Sequence, residues 1–119
     1  MHENPIDETI LEGLRLLQRD GRPDIAKTVI MLFVESAPAK LKDLEAGAAE
    51  NDAGLLHRAA RVLKSSSAAV GARLLSHHCG QLETMARSGS IPDAMARVCT
   101  ILECYREAEG ALRAWCAGR

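Results

Sequence analysis

Five side chains able to do chemistry fall at helical spacing in the middle of the chain: His57, Arg58, Arg61, Lys64 and Ser65. On an α-helix His57, Arg61 and Ser65 stand one above another at i, i+4 intervals, with Lys64 beside them. Cations grouped in this way can hold a carboxylate or a phosphate, and a guanidinium does so through two parallel hydrogen bonds. Among the five, the imidazole of His57 is the side chain with a nitrogen lone pair suited to nucleophilic attack near neutral pH. The run Ser65-Ser66-Ser67-Ala68-Ala69 is built of small residues. A helix carrying it has a shallow surface beside the cations, where a second protein can come close. A second cluster, His77-His78-Cys79, offers metal-ligand types. Neighbouring residues of a helix point about 100° apart, so these three do not converge on one ion, and no metal is expected.

The helix that must position the basic face has an apolar back. Leu56, Ala60, Leu63, Ser67 and Val70 follow one another at intervals of four, three, four and three, with Asn51 or Asp52 as cap and Gly71 at the end. Four further helices are expected around it. The first runs from about Asp7, its cap, to Arg19, with Ile6, Ile10, Leu11, Leu14 and Leu17 inward, and stops at Asp20-Gly21. The second opens on Pro23 and carries Ile25, Val29, Leu32, Phe33, Leu41 and Leu44 to about Ala49. Pro38 lies inside it and predicts either one kinked helix or a break into two. The fourth has Leu74, Leu75, Cys79, Leu82 and Met85 on its apolar side and ends at Ser88-Gly89. The fifth opens at Pro92, runs to about Trp115, and lines up Met95, Val98, Cys99, Leu102, Tyr105 and Leu112. Short connections make neighbours antiparallel. Glu83, Glu103, Glu107 and Glu109 read as surface carboxylates.

Composition agrees with packed helices. Of 119 residues 47% are hydrophobic but only 3% aromatic, so the core draws on Leu, Ala, Val, Ile and Met rather than on the aromatic residues that strands favour. The length suits one domain over residues 1–119, without internal repeat or linker. With 15 Lys and Arg against 16 Asp and Glu, a nucleic-acid binder relying on bulk positive charge is excluded. The start MHENPIDETI is not a basic-then-apolar leader, and no stretch reaches the roughly 18 apolar residues of a membrane span. Four cysteines without a CxxC pair read as free thiols. A cytoplasmic protein is expected, with no membrane partner. No phosphate-binding glycine loop, nucleophile elbow or kinase set is present, so neither an enzyme nor a cofactor is expected.

The run from Ala59 through Arg61, Leu63, Lys64 and Ser67 to Val70-Gly71-Ala72 resembles the signature of histidine-containing phosphotransfer (HPt) domains, A-H-x-L-K-[G/S]-S-S-x-x-x-G-A. Leu74, Cys79, Leu82-Glu83 and Ala86-Arg87 continue the match, as do Phe33 and the Asn51-Asp52 turn upstream. The resemblance implies an all-α fold, an antiparallel four-helix bundle with an additional short N-terminal helix. It further implies a partner, the receiver domain of a response regulator or hybrid histidine kinase, whose acidic pocket takes in the family's phosphorylated histidine. Lys64 matches the lysine that helps neutralise the phosphoryl charge, and Ser65 the small residue that leaves room for docking. The residue at the histidine position is Arg61.

A guanidinium stays protonated in proteins and has no accepting lone pair, so it cannot take a phosphoryl group as imidazole does. It remains well suited to pair with a carboxylate or phosphate. The favoured reading is therefore a pseudo-HPt module that binds a receiver through Arg61, Arg58, Lys64, Ser65, His57 and Ala68 without phosphotransfer. Three other readings stand beside it. An active relay protein would use His57, one turn away at about 5.4 Å along the axis, as acceptor. Arg61 would be an engineered replacement of a native histidine in the second, and in the third the bundle is a scaffold that has lost receiver binding.

Overall fold

The computed structural model describes residues 4–89 and 91–118. Five helices follow in order: α1 (Glu8–Leu16), α2 (Ile25–Glu50), α3 (Ala53–Ala69), α4 (Arg73–Arg87) and α5 (Ala94–Ala117). Among the described residues there is no strand. Helices α2 to α5 close a ring in which α2 packs on α3 and α5, and α4 packs on α3 and α5, the antiparallel bundle the spacing predicted. The short α1 lies against α2 across one end of the bundle.

The boundaries follow local chemistry. Asp7, Asp24 and Asp52 each accept a backbone N–H of the first turn, from Thr9, Lys27 and Leu55, and so start α1, α2 and α3. Pro23 therefore stands two residues before α2 rather than at its first position. Asn51, at φ 53°, ends α2. Gly71, at φ 78°, turns the chain from α3 into α4, and its backbone carbonyl accepts the Asp7 N–H at 2.6 Å. A Cβ there would sit 2.6 Å from the Asp7 carbonyl oxygen, so this contact between chain start and α3–α4 turn requires glycine.

Pro38 neither ends α2 nor divides it, and the helix runs on through it. The proline has no N–H to offer the Val34 carbonyl four residues back. Tyr105 of α5 supplies the missing donor: its hydroxyl gives a hydrogen bond to the Val34 oxygen at 3.3 Å, while its ring tilts against Phe33. A break in the α2 ladder is thus repaired from across the core.

The core holds Leu11, Ile30, Leu44, Leu56, Leu63, Leu75, Leu82, Ile101 and Leu112 fully buried. The α3 back is as expected, with Leu56, Ala60, Leu63, Ser67 and Val70 all buried. Elsewhere single positions differ. Ile10, Leu17, Leu32, Leu74 and Met95 are exposed, as is Cys99, whereas Ala26, Ala37, Ala86, Ile101 and Ala108 face inward. In α2, α4 and α5 these alanines, with Ile101, fill the closely packed seams, and several of the larger side chains turn outward.

Candidate functional site

The outer face of α3 presents Arg58, Arg61, Ser65 and Ala68 to solvent, all exposed. Among the described residues neither Arg58 nor Arg61 makes a hydrogen bond or ion pair. Arg61 stands at the middle of the face with Ser65 one turn on and the small Ala68 beyond.

Lys64 and His57 are set differently, because a carboxylate on α4 binds the first and lies beside the second. Glu83, expected on the surface, is only 4% exposed. Its Oε1 accepts from Lys64 Nζ at 2.6 Å, and its Oε2 lies 3.7 Å from the Arg87 guanidinium and 3.9 Å from His57 Nε2. The stem of Lys64 crosses α4 at Gly80, where an added Cβ would come within 3.2 Å of Lys64 Cδ. Glycine there gives the lysine its path to Glu83. The hydrogen bond from Lys64 holds the Glu83 carboxyl below the usual carboxylate range, with the charges of Lys64, Arg87 and His57 acting the same way against the opposing push of burial. The cover over Glu83 is thin, since it consists of side chains that are themselves open: Lys64 is 43% and Arg87 71% exposed.

The reason Glu83 is buried is its register. Leu75, Cys79, Leu82 and Ala86 form the inward side of α4, and Glu83 falls four residues after Cys79, at the margin of that side. A charged residue there needs a counter-charge from the facing helix, and α3 supplies Lys64. The i+4 spacing from Cys79 puts the position near the core, but the counter-charge that lets a carboxylate stay there comes from the packing of α3.

The two helices are also joined through backbone acceptors. Ser76 donates its hydroxyl to the Lys64 carbonyl at 2.9 Å, and the buried Ser67 donates to the Leu63 carbonyl within α3. These bonds let small residues lie between α3 and α4 with their hydroxyls satisfied. His57 is less open than its sequence position suggested: it is 26% exposed, and its Nε2 is covered and lacks a hydrogen bond.

His77 and His78 touch edge to face with centroids 5.6 Å apart. Burial, and then the charge of His77, lowers the His78 imidazole. Burial pushes the Cys79 thiol up to about 12, which removes it as a nucleophile. No group of three or more His, Cys, Asp or Glu among the described residues is placed to hold a metal ion. No helix among them is long and apolar enough to cross a membrane.

Comparison with known proteins follows the same lines as the geometry. The family model described as Hpt domain matches residues 28–114, which takes in most of α2 and all of α3 and α4. Among solved structures the chain is similar to the crystal structure of histidine-containing phosphotransfer protein B (HptB) from Pseudomonas aeruginosa PAO1, with a TM-score of 0.83. The two are 24% identical, and the match covers 95% of each chain, a likeness that bears on the fold. No curated protein matches by sequence.

Proposed function

We propose that this chain, which belongs to the Hpt domain family, docks on the receiver domain of a response regulator or hybrid histidine kinase and modulates it without carrying a phosphoryl group. Hpt domains serve two-component phosphotransfer signalling, and the specific role here follows from one observation. At the acceptor position α3 presents Arg61, exposed and without a partner among the described residues.

A receiver's acidic pocket offers carboxylates, and a guanidinium with no internal partner forms a two-pronged pair with one of them on contact. Docking blocks the pocket for as long as the complex lasts. Transfer stops there, since Arg61 has no lone pair to attack phosphorus. Ser65 and Ala68 leave the approach clear, and Arg58 adds positive potential at the rim. His57 does not replace the missing nucleophile in this reading, because its Nε2 is covered and turned toward Glu83. One such domain over residues 1–119, working in the cytoplasm with neither cofactor nor nucleic acid, completes the proposal.

The test is incubation with a phosphorylated receiver or an active hybrid kinase, read on phosphate-affinity gels beside a pull-down. The receiver should be retained while the protein gains no stable phosphoryl group. A label on the protein would contradict the proposal, and its disappearance in His57→Ala would identify an active relay through that residue.

A further inference from the structure

Lys64 is already occupied. Its ammonium donates to Glu83 at 2.6 Å, so among the described residues the anion-holding face has a free cation at its centre, Arg61, and beside it one that is held in reserve. We propose that Glu83 makes this face selective for a doubly charged phosphoryl group over a single carboxylate, by retaining Lys64 until a stronger anion draws it away. That the group is presented as the aspartyl phosphate of a receiver rests on the docking role proposed above; the selectivity itself rests on this chain's own side chains.

The competition is decided by charge and tethering. A carboxylate arriving from outside offers Lys64 the same chemistry that Glu83 already provides, and Glu83 is tethered beside it at high effective concentration. Such a ligand takes Arg61 alone. A phosphoryl group carries roughly 1.5 to 2 negative charges and three strong acceptor oxygens. It can fill the Arg61 fork and still accept from an ammonium. Arg61 and Lys64 stand three residues apart on α3, with Cβ atoms about 5–6 Å from each other, within reach of one phosphate.

Releasing Lys64 does not strand Glu83. Arg87 stays 3.7 Å from its other oxygen, with His57 Nε2 at 3.9 Å, so the carboxylate keeps the Arg87 counter-charge when the ammonium leaves. Nor is Lys64 buried: 43% of its side chain is open, and its stem crosses α4 at Gly80 without being enclosed. The pair is therefore able to exchange partners while the bundle stays folded.

Side-chain nitrogen NMR on the intact protein tests this with inorganic phosphate and acetate as probes, each titrated at pH 7.5 and matched ionic strength. Phosphate should shift the signals of both Arg61 and Lys64, while acetate shifts Arg61 and leaves Lys64 in place. In Glu83→Gln the freed Lys64 should respond to acetate too, and the preference for phosphate should shrink by roughly ten-fold, about the worth of one charge-assisted hydrogen bond. Acetate moving Lys64 in the wild type as far as phosphate does would overturn the proposal. So would a Lys64 signal that phosphate leaves untouched. These titrations contain no receiver, so a protein that passes them and fails to bind receivers keeps its anion selectivity and loses the docking role. A receiver carrying beryllofluoride on its aspartate provides the second arm. Wild type should prefer it to the unmodified receiver, and Glu83→Gln should reduce that preference; an undiminished preference in the variant would overturn the assignment to Glu83.

Discussion

Two of the polar contacts that join helices of this bundle have opposite characters. Between α2 and α5 the Tyr105 hydroxyl donates to the Val34 carbonyl, a neutral bond in the interior with a single acceptor left open by Pro38. Between α3 and α4 the Lys64 ammonium donates to Glu83, a charged bond near the surface whose acceptor also has the Arg87 guanidinium and the His57 imidazole beside it. Breaking the first leaves a buried carbonyl unsatisfied. The second has an open donor, with 43% of the Lys64 side chain exposed. Polar contacts of similar reach thus differ in setting: one is closed inside the core, and the other lies where the proposed exchange with an anion would need it.

The comparison is sharpest where packing sets the scale. Leu63 is fully buried on the back of the helix that carries the cations, and Leu63→Ala should cost about 2–5 kcal/mol in chemical denaturation. Loss of less than about 0.5 kcal/mol, the range of an ordinary surface substitution, would mean that α3 is rotated from its described setting.

Next in size is the neutral contact. Tyr105→Phe removes the donor and should destabilise by about 1–3 kcal/mol. In a Pro38→Ala background the backbone regains an N–H at that position to serve the Val34 carbonyl, so the same tyrosine change should cost clearly less. Equal cost in both backgrounds would show that the hydroxyl is not repairing the α2 ladder.

The charged contact should show a smaller effect, tied to pH. The carboxyl of Glu83 is held below its ordinary value of 4.5, so its contribution is complete above that value and fades as pH falls through the lower folded one. Denaturation midpoints of wild type should therefore drop toward acid below about pH 4.5 more steeply than those of Glu83→Gln. Asp7, lowered by its bonds with Thr9 and secondarily by Arg73, has the same sign, which makes Asp7→Asn the control for the remaining slope. Parallel curves for wild type and Glu83→Gln would mean that Lys64 and Glu83 are not paired in solution.

What the sequence showed depended on how strongly each position is constrained by its own helix. The α3 back was legible apart from Ala59, which is buried beside the expected stripe, because its apolar residues and Ser67 share one period and alternate with charged ones. The outer cations followed by the same geometry, since exposure is what that period leaves over. In α2 and α5 too many apolar residues compete for the inward side. Leu32 and Met95 match a helical period as well as Ile30 and Ile101 do, and only contacts with the neighbouring helices select between them. Glu83 was missed for a related reason. A carboxylate four residues after a buried cysteine reads as surface until Lys64 is known to lie opposite it, across a gap that Gly80 opens. The Tyr105 bond was equally hidden, as it joins residues 71 positions apart.

In the proposed role Arg61 anchors a receiver in place of a phosphorylated histidine. Calorimetric titration of a cognate receiver against wild type, Arg61→Ala, Arg87→Ala and Ser65→Trp measures it directly. Arg61→Ala should weaken binding by about 2–5 kcal/mol, roughly thirty-fold to several thousand-fold, through loss of a partly desolvated ion pair. Arg87→Ala, at the margin of the face, should change affinity far less, and Ser65→Trp should abolish binding by filling the approach while the helical dichroism stays unchanged. Equal affinity for wild type, Arg61→Ala and Ser65→Trp would rule out Arg61 as the anchor and put the interface on another face of the bundle.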